Sequence, residues 1–331
     1  VLGISQKRIS FAGTKDKRAL TVQHFSIYGV KAEEVEEVKL KDAKIEVLGY
    51  ANRSIQLGDL LGNFFRIRVH GGENGELFNS TLDELEEKGT PNFFGLQRFG
   101  SIRYITHEVG KLILQGNYEE AFWVYVAKPF EGEKEEVRKV RELLWSSRDP
   151  KLGLKELPKH LRYERSLLQK LREGKSEEEA LLSYIFNRLL SERIKQFGEL
   201  KSVQDGDAAC YLTFKTRPTF ADCSKISANR LRVERLIRER VASLALPLVG
   251  YDTKPEGWCR IAIEFLNEDN LDFVSFKTEH KEFSSSGSYR PADMLIEHTE
   301  IAFDGESFTF YLPGGCYATI MLREFLKREL S

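Results

Sequence analysis

A chain of 331 residues is long enough for two packed domains. Apolar residues at 41% and charged residues at 31% exclude wholesale disorder, and no apolar stretch reaches the roughly 20 residues a membrane-spanning helix needs. The formal net charge of −1 does not by itself advertise a nucleic-acid partner.

In chain order, the opening VLGISQKRIS has no initiator Met and no basic-then-apolar leader. It reads as the middle of a domain, so a natural N-terminal segment is expected to be absent. From 1 to about 115 the pattern predicts mainly strands and turns. Ile9–Gly13 and Ala19–Ile27 are predicted strands around the polar turn Thr14–Arg18. Phe65–His70 alternates, with Phe65, Ile67 and Val69 on one face and Arg66, Arg68 and His70 on the other. Those three polar residues face RNA or water.

From about 116 to 245 the apolar spacing turns helical, over Leu161–Arg172, Glu177–Phe197 and Asn229–Leu244. Strands are then predicted at Arg260–Leu266 and Leu271–Phe276, followed by a hairpin of Ile301–Phe303 and Phe308–Leu312 around Asp304-Gly305. A closing helix is predicted from about Ala318 to Arg328, burying Ala318, Met321, Leu322 and Phe325. A helical block between two sheet-rich zones predicts an α+β domain with a helical insertion.

The four cysteines, Cys210, Cys223, Cys259 and Cys316, form no C-x-x-C pair, and the six histidines are scattered. That spacing argues against a structural metal. Reduced thiols in a cytoplasmic protein are expected, without a disulfide framework.

Charge is unevenly spread. Residues 1–30 carry Lys7, Arg8, Lys15, Lys17 and Arg18 against Asp16 alone, and 225–240 carry six cations against Glu234 and Glu239. Local positive fields of this kind hold a phosphate backbone, although charge alone leaves a solvated face equally open. In the second segment Arg230, Arg232, Arg235 and Arg238 stand off the apolar stripe of Val233, Leu236, Ile237 and Val241.

The most informative stretch is ISFAGTKDKRALTVQHFSI at 9–27. It sets Asp16 in a polar turn between apolar strands, flanked by Lys15, Lys17 and Arg18. A carboxylate among cations suits work on an anionic polymer, whereas by pattern alone it is an ordinary surface turn. Farther on, the polar Asn92 and Arg98 stand among Phe93, Phe94 and Phe99, where they need partners.

Four segments together resemble one family. G-T-K-D-K-R-A-x-T-x-Q at 13–23 is similar to the signature of the TruD pseudouridine synthases. NFFGLQRFG at 92–100, SYIFNRLLSERI at 183–194 and LPGGCYATIMLREF at 312–325 resemble three further elements of that family, in the same order. The resemblance, to the archaeal and eukaryal-like branch, implies a pseudouridine synthase catalytic domain with a mixed, mainly antiparallel sheet. It implies that an inserted, mostly helical α/β domain at 116–288 interrupts this catalytic domain, which comprises 1–115 and 289–331. It implies a cytoplasmic, cofactor-free and metal-free tRNA enzyme that isomerises uridine, at position 13 of the D arm, with no protein partner. Asp16 is then the catalytic carboxylate, Asn92, Tyr317, Lys15 and Arg98 hold the substrate, and Arg232, Arg235 and Arg238 meet the tRNA backbone. The family's pattern departs at Tyr289-Arg290, where it often shows two basic residues, and the S-Y-I-F-N segment follows 175–182 sooner than in the family.

The chemistry fits those residue types. The N-glycosidic bond breaks, uracil rotates and C5 joins the sugar, with no redox change. A carboxylate attacks C1′ of the sugar or C6 of the base, or takes a proton from C2′; sequence leaves these three open. Flipping the base out of structured RNA costs a few kcal/mol, and stacking on an aromatic returns about 1–3 kcal/mol. Two other classes compete. An aspartyl-phosphate phosphatase, suggested by D-K-x-x-L-T, needs a second Asp where Arg18 stands. A non-catalytic RNA-binding module fits the basic segments equally well and lacks only the carboxylate's role.

Overall fold

The computed structural model describes residues 2–16, 19–70, 75–100, 102–161, 164–165, 178–214, 217–226, 230–279 and 284–327. They form two compact units, 1–63 and 64–331.

In the first unit β1 (Ile9–Phe11) and β2 (Phe25–Ile27) pair antiparallel, Ile9 opposite Ile27 and Phe11 opposite Phe25. The Phe11 and Phe25 rings meet edge to face at 5.8 Å. A short helix, α1 (Ala32–Glu36), follows. Both strands are shorter than their apolar patterns predict. The stretch from Ala19 to His24 joins no ladder, and Leu20 and Val22 are fully exposed. Strand propensity becomes a strand only where another backbone supplies its hydrogen bonds.

The second unit holds two sheets. In the first, β3 (Gly62–Arg68), β9 (Ser307–Pro313) and β8 (Ala302–Phe303) lie in that order. The predicted alternation is present: Phe65, Ile67 and Val69 join the core, while Phe64, Arg66 and Arg68 are exposed. Helices α2 (Gly75–Lys88) and α10 (Ala318–Leu326) complete that core through Phe78, Leu82, Leu85, Met321 and Phe325. The Asp304-Gly305 turn also stands as expected. Gly305 has φ 93°, and the Asp304 carboxylate accepts the Glu306 and Ser307 amides at 3.0 and 2.7 Å.

The second sheet, β5 (Pro218–Lys225), β4 (Ala208–Phe214), β6 (Ala242–Leu248) and β7 (Ser288–Pro291), is antiparallel throughout. Helices α7 (Glu178–Phe197) and α9 (Trp258–Asn267) pack on β6. Between α2 and α7 along the chain come α3 (Thr106–Leu114), α4 (Tyr118–Ala127), α5 (Glu135–Ser147) and α6 (Pro150–Glu156), with α3 packed along α7. The fold is therefore α+β, with mainly antiparallel sheet. Most of Leu161–Arg172, a predicted helix, lies outside the described residues.

Several elements differ from the sequence expectation. The predicted helix over Asn229–Leu244 is α8 (Arg230–Arg238) followed at once by strand β6. Arg240 at φ 62° breaks the helix, and the apolar run behind it is buried almost throughout, a pattern shared by a buried helix and a central strand. Arg260–Leu266, predicted as a strand, lies in helix α9. Its buried residues Trp258, Cys259, Ala262 and Leu266 follow a helical period that the β-branched Ile261 and Ile263 mask. Leu271–Phe276 ends in a short 3-10 turn instead of a strand. Strands β4 and β5 stand in the zone predicted to be helical. They bring Cys210 and Cys223 directly opposite each other, Cα atoms 4.0 Å apart, joined as a disulfide. The expectation of four reduced thiols is thus corrected for two of them, since the hairpin closes a 13-residue separation no local spacing reveals. Cys259 and Cys316 are free thiols, which burial pushes up to about 11 and about 12.

Candidate active site

The signature segment lies in the first unit. The Ser10 and Ser26 hydroxyls are bonded at 2.9 Å across the β1–β2 ladder, and Gly58 N–H donates to the Ala12 carbonyl at 3.1 Å, fixing the strand end. Beyond it the Lys15 ammonium donates to the Asn63 side-chain oxygen, which leaves that cation half-buried and engaged. Asp16 follows and is exposed. Its expected companions Lys17 and Arg18 lie outside the described residues.

The other three signature segments converge in the second unit. Residues 90–92 run against 292–294: Asn92 N–H donates to the Ala292 carbonyl at 2.8 Å and Met294 N–H to the Thr90 carbonyl at 2.9 Å. Gly89 opens this run at φ 92°, where a Cβ would stand 2.9 Å from the Asp293 carboxylate. Asn92 itself is 1% exposed. Its amide nitrogen donates to the Pro291 carbonyl at 3.0 Å, and its oxygen accepts from Arg290 at 3.0 Å. Both ends of the amide are therefore engaged inside the protein.

The S-Y-I-F-N segment of α7 grips the next residues of the loop. Asn187 accepts from Phe94 N–H at 2.8 Å and donates back to the Phe94 carbonyl at 3.0 Å. Phe186 meets the Phe94 ring edge to face at 5.5 Å, and Arg98 Nε donates to the Ser183 hydroxyl at 3.1 Å. Sequence reasoning gave this segment no role beyond the resemblance. The i, i+3, i+4 spacing of Ser183, Phe186 and Asn187 was the signal, because it puts all three on one helical face.

Tyr317 reaches the same loop from the N-cap of α10, in an extended conformation, φ −113° and ψ 123°. Its ring lies 6.1 Å from that of Phe94. Gly95 is the residue that permits this approach, since a Cβ there would come within 2.8 Å of the Tyr317 ring. Burial pushes the Tyr317 phenol up, so it stays neutral and can donate. Asn92, Arg98 and Tyr317 thus stand around one loop, with Phe94 at its centre. Asp16 and Lys15 belong to the other unit.

The predicted basic helix exists as α8, with Val233 and Ile237 buried and Arg232, Arg235 and Arg238 exposed. Arg235 pairs with Glu239 at 2.7 Å and Arg238 with Glu234 at 2.8 Å, both one turn away, so part of the helix's positive field is neutralised locally. On β3, Arg66 and Arg68 likewise pair with Asp304 and Glu306.

The model of the family tRNA pseudouridine synthase D (TruD) matches residues 1–325. The chain belongs to the TruD family. It is 76% identical to "Probable tRNA pseudouridine synthase D" of Archaeoglobus fulgidus, covering 100% of the chain and 84% of that relative. It is 36% identical to the protein of the same name from Methanosarcina barkeri, over 99% of the chain and 82% of the relative. The crystal structure of a TruD protein from Methanosarcina mazei superposes with a TM-score of 0.78 at 36% identity, covering 99% of this chain and 83% of that one. TruD proteins are tRNA-modifying isomerases, and the activity of this chain is that of its family, the conversion of uridine to pseudouridine in tRNA. Among the described residues no helix is long and apolar enough to cross a membrane.

Proposed function

We propose that this TruD protein acts on uridine 13 of the tRNA D arm, with Asp16 as the carboxylate that starts the isomerisation. The observation that carries the reading is the convergence of three signature segments on the Phe94 loop, which supplies an aromatic and polar surface suited to a single flipped base. Tyr317 stacks on uracil and its neutral hydroxyl donates to a base carbonyl. Arg98 contributes charge at the rim. Asn92 supports the substrate from behind by holding the loop, since its own amide is engaged. Lys15, beside Asp16, meets the RNA backbone, as do Arg232, Arg235 and Arg238 on α8. The reaction asks these residues to break N1–C1′, retain the detached uracil while it turns, and present C5 to C1′. Aromatic stacking of about 1–3 kcal/mol retains the base without fixing its in-plane orientation.

We also divide the chain into a catalytic domain, built from residues 1–115 and 289–331, and an insertion at 116–288. Supporting this, one apolar core draws only on residues between Phe65 and Phe93 and between Met294 and Leu326. A second core draws mainly on Leu114 to Ala292, with Phe93 packed against both.

The test is conversion of a tRNA transcript carrying uridine 13 beside one carrying cytidine there, with pseudouridine mapped at single-nucleotide resolution. Pseudouridine at position 13 of the first and none in the second is expected. Conversion only at other positions contradicts the site assignment. Tight tRNA binding without any conversion returns the chain to the class of non-catalytic RNA-binding modules.

A further inference from the structure

Arg290 was not among the residues expected to matter, yet its surroundings are unusual. It sits on β7 with 8% of its surface exposed. Its Nη2 donates to the Gly315 carbonyl at 2.7 Å, to the Asn92 side-chain oxygen at 3.0 Å and more weakly to the Asn92 carbonyl at 3.3 Å. The guanidinium lies 3.9 Å from the centre of the Phe94 ring and 5.4 Å from that of Phe186. Among the described residues no carboxylate forms an ion pair or hydrogen bond with it. Its Nε has no hydrogen-bond partner among the described residues. Among the described residues this buried cation is held by carbonyls, an amide and ring faces alone, which is costly, and a core gains nothing from it that an apolar side chain would not give.

What the guanidinium does accomplish is geometric. Gly315 lies two residues before Tyr317, and Asn92 two residues before Phe94. One nitrogen therefore joins the backbone turn that delivers one aromatic to the loop that delivers the other, while the same guanidinium lies over the Phe94 ring. We propose that Arg290 is the positioning residue of the uridine site, setting how Phe94 and Tyr317, the aromatics offered to the base, stand relative to each other. The inference rests on the assignment of Tyr317 to the base. A rigid planar fork suits the task, because its donors and its stacking face are fixed relative to each other; a lysine ammonium has no such face.

The test is steady-state kinetics of the full chain on tRNA for Arg290→Gln, Arg290→Lys, Tyr317→Leu and the double variant Arg290→Gln/Tyr317→Leu, with melting midpoints and the salt dependence of tRNA binding. Misplacing a positioned group by an ångström costs on the order of 100-fold in rate. Arg290→Gln is expected to lower kcat by about that factor, with KM and the salt slope nearly unchanged, because a buried group has no phosphate to release. Arg290→Lys should fall between Gln and the parent. In the Tyr317→Leu background Arg290→Gln should cost only about threefold or less, since residues that act through one another are not additive. An unchanged kcat, full additivity with Tyr317→Leu, or a salt slope reduced by about 0.7–0.9 would overturn the proposal, the last by making Arg290 a phosphate contact. If Arg290→Gln does not fold, Arg290→Lys carries the same comparison, and failure of both to fold assigns Arg290 to the core. An inactive Arg290→Gln beside a fully active Tyr317→Leu removes the base-stacking assignment instead, so the two failures are distinct.

Discussion

Tyr317 concentrates the account at the scale of single residues. Its ring is brought against the Phe94 loop by an extended N-cap on one side and by the missing Cβ of Gly95 on the other. Both features would be idle if the side chain only capped a helix. Tyr317→Phe keeps the ring and should leave kcat within a few-fold of the parent. Tyr317→Leu keeps apolar volume and removes the π-face, and should cost about 1–3 kcal/mol in kcat/KM. The melting midpoint should stay nearly constant in both, since the ring is only partly buried. Unfolding of Tyr317→Leu with a fully active folded remainder would mark the residue as structural. Asn92 teaches the opposite lesson. A polar residue among phenylalanines was legible as one in need of partners, but the partners are Arg290 and the Pro291 carbonyl. Nothing in the local sequence could reveal a donor 198 and an acceptor 199 positions away.

At the scale of elements, α8 is where charge and structure pull apart. Its arginines face solvent as their spacing predicts, yet Arg238 already holds Glu234 on the helix and Arg235 holds Glu239 just past its end. Exposed pairs of this kind are weak and screened by salt, so a phosphate can displace them. Replacing Arg232, Arg235 and Arg238 together with Gln should weaken tRNA binding. Each lost phosphate contact should reduce the log–log salt slope by about 0.7–0.9, with kcat at saturating tRNA little changed. A slope identical to the parent's would make α8 a solvated face. The elements legible in the sequence were those with one dominant period: β3 by alternation, α7 and α10 by apolar stripes, the β8–β9 hairpin by Asp304-Gly305. Those misread had a period masked by β-branched residues, as in α9, or buried surface on both sides, as in β6. The Ala242–Leu248 run is buried on both faces, Leu244 and Leu246 in the core shared with α7 and α9 and Ala245 in a second cluster with Cys210 and Phe220. Its residues therefore carry no period from which to distinguish strand from helix.

For the whole molecule, four short signatures spread over residues 13–325 were enough to expect the family, and three of them meet in space through contacts no signature states. Asn187 holds Phe94, Ser183 holds Arg98, and Arg290 joins the Asn92 loop to the Tyr317 turn. In the function proposed above these residues hold and orient a base, but none of Asn92, Phe94, Arg98, Asn187, Arg290 and Tyr317 supplies a carboxylate to break a glycosidic bond. That step is assigned to the exposed carboxylate of the first unit, so the account turns on Asp16. Asp16→Asn keeps size and hydrogen bonding while removing the charge and the nucleophile. The most direct measurement is single-turnover formation of pseudouridine in tRNA by this variant beside the parent chain, with tRNA affinity measured in parallel. The account predicts that affinity survives and that conversion falls by several powers of ten, each about 1.4 kcal/mol of transition-state stabilisation. Conversion by Asp16→Asn at a rate near the parent's would contradict it.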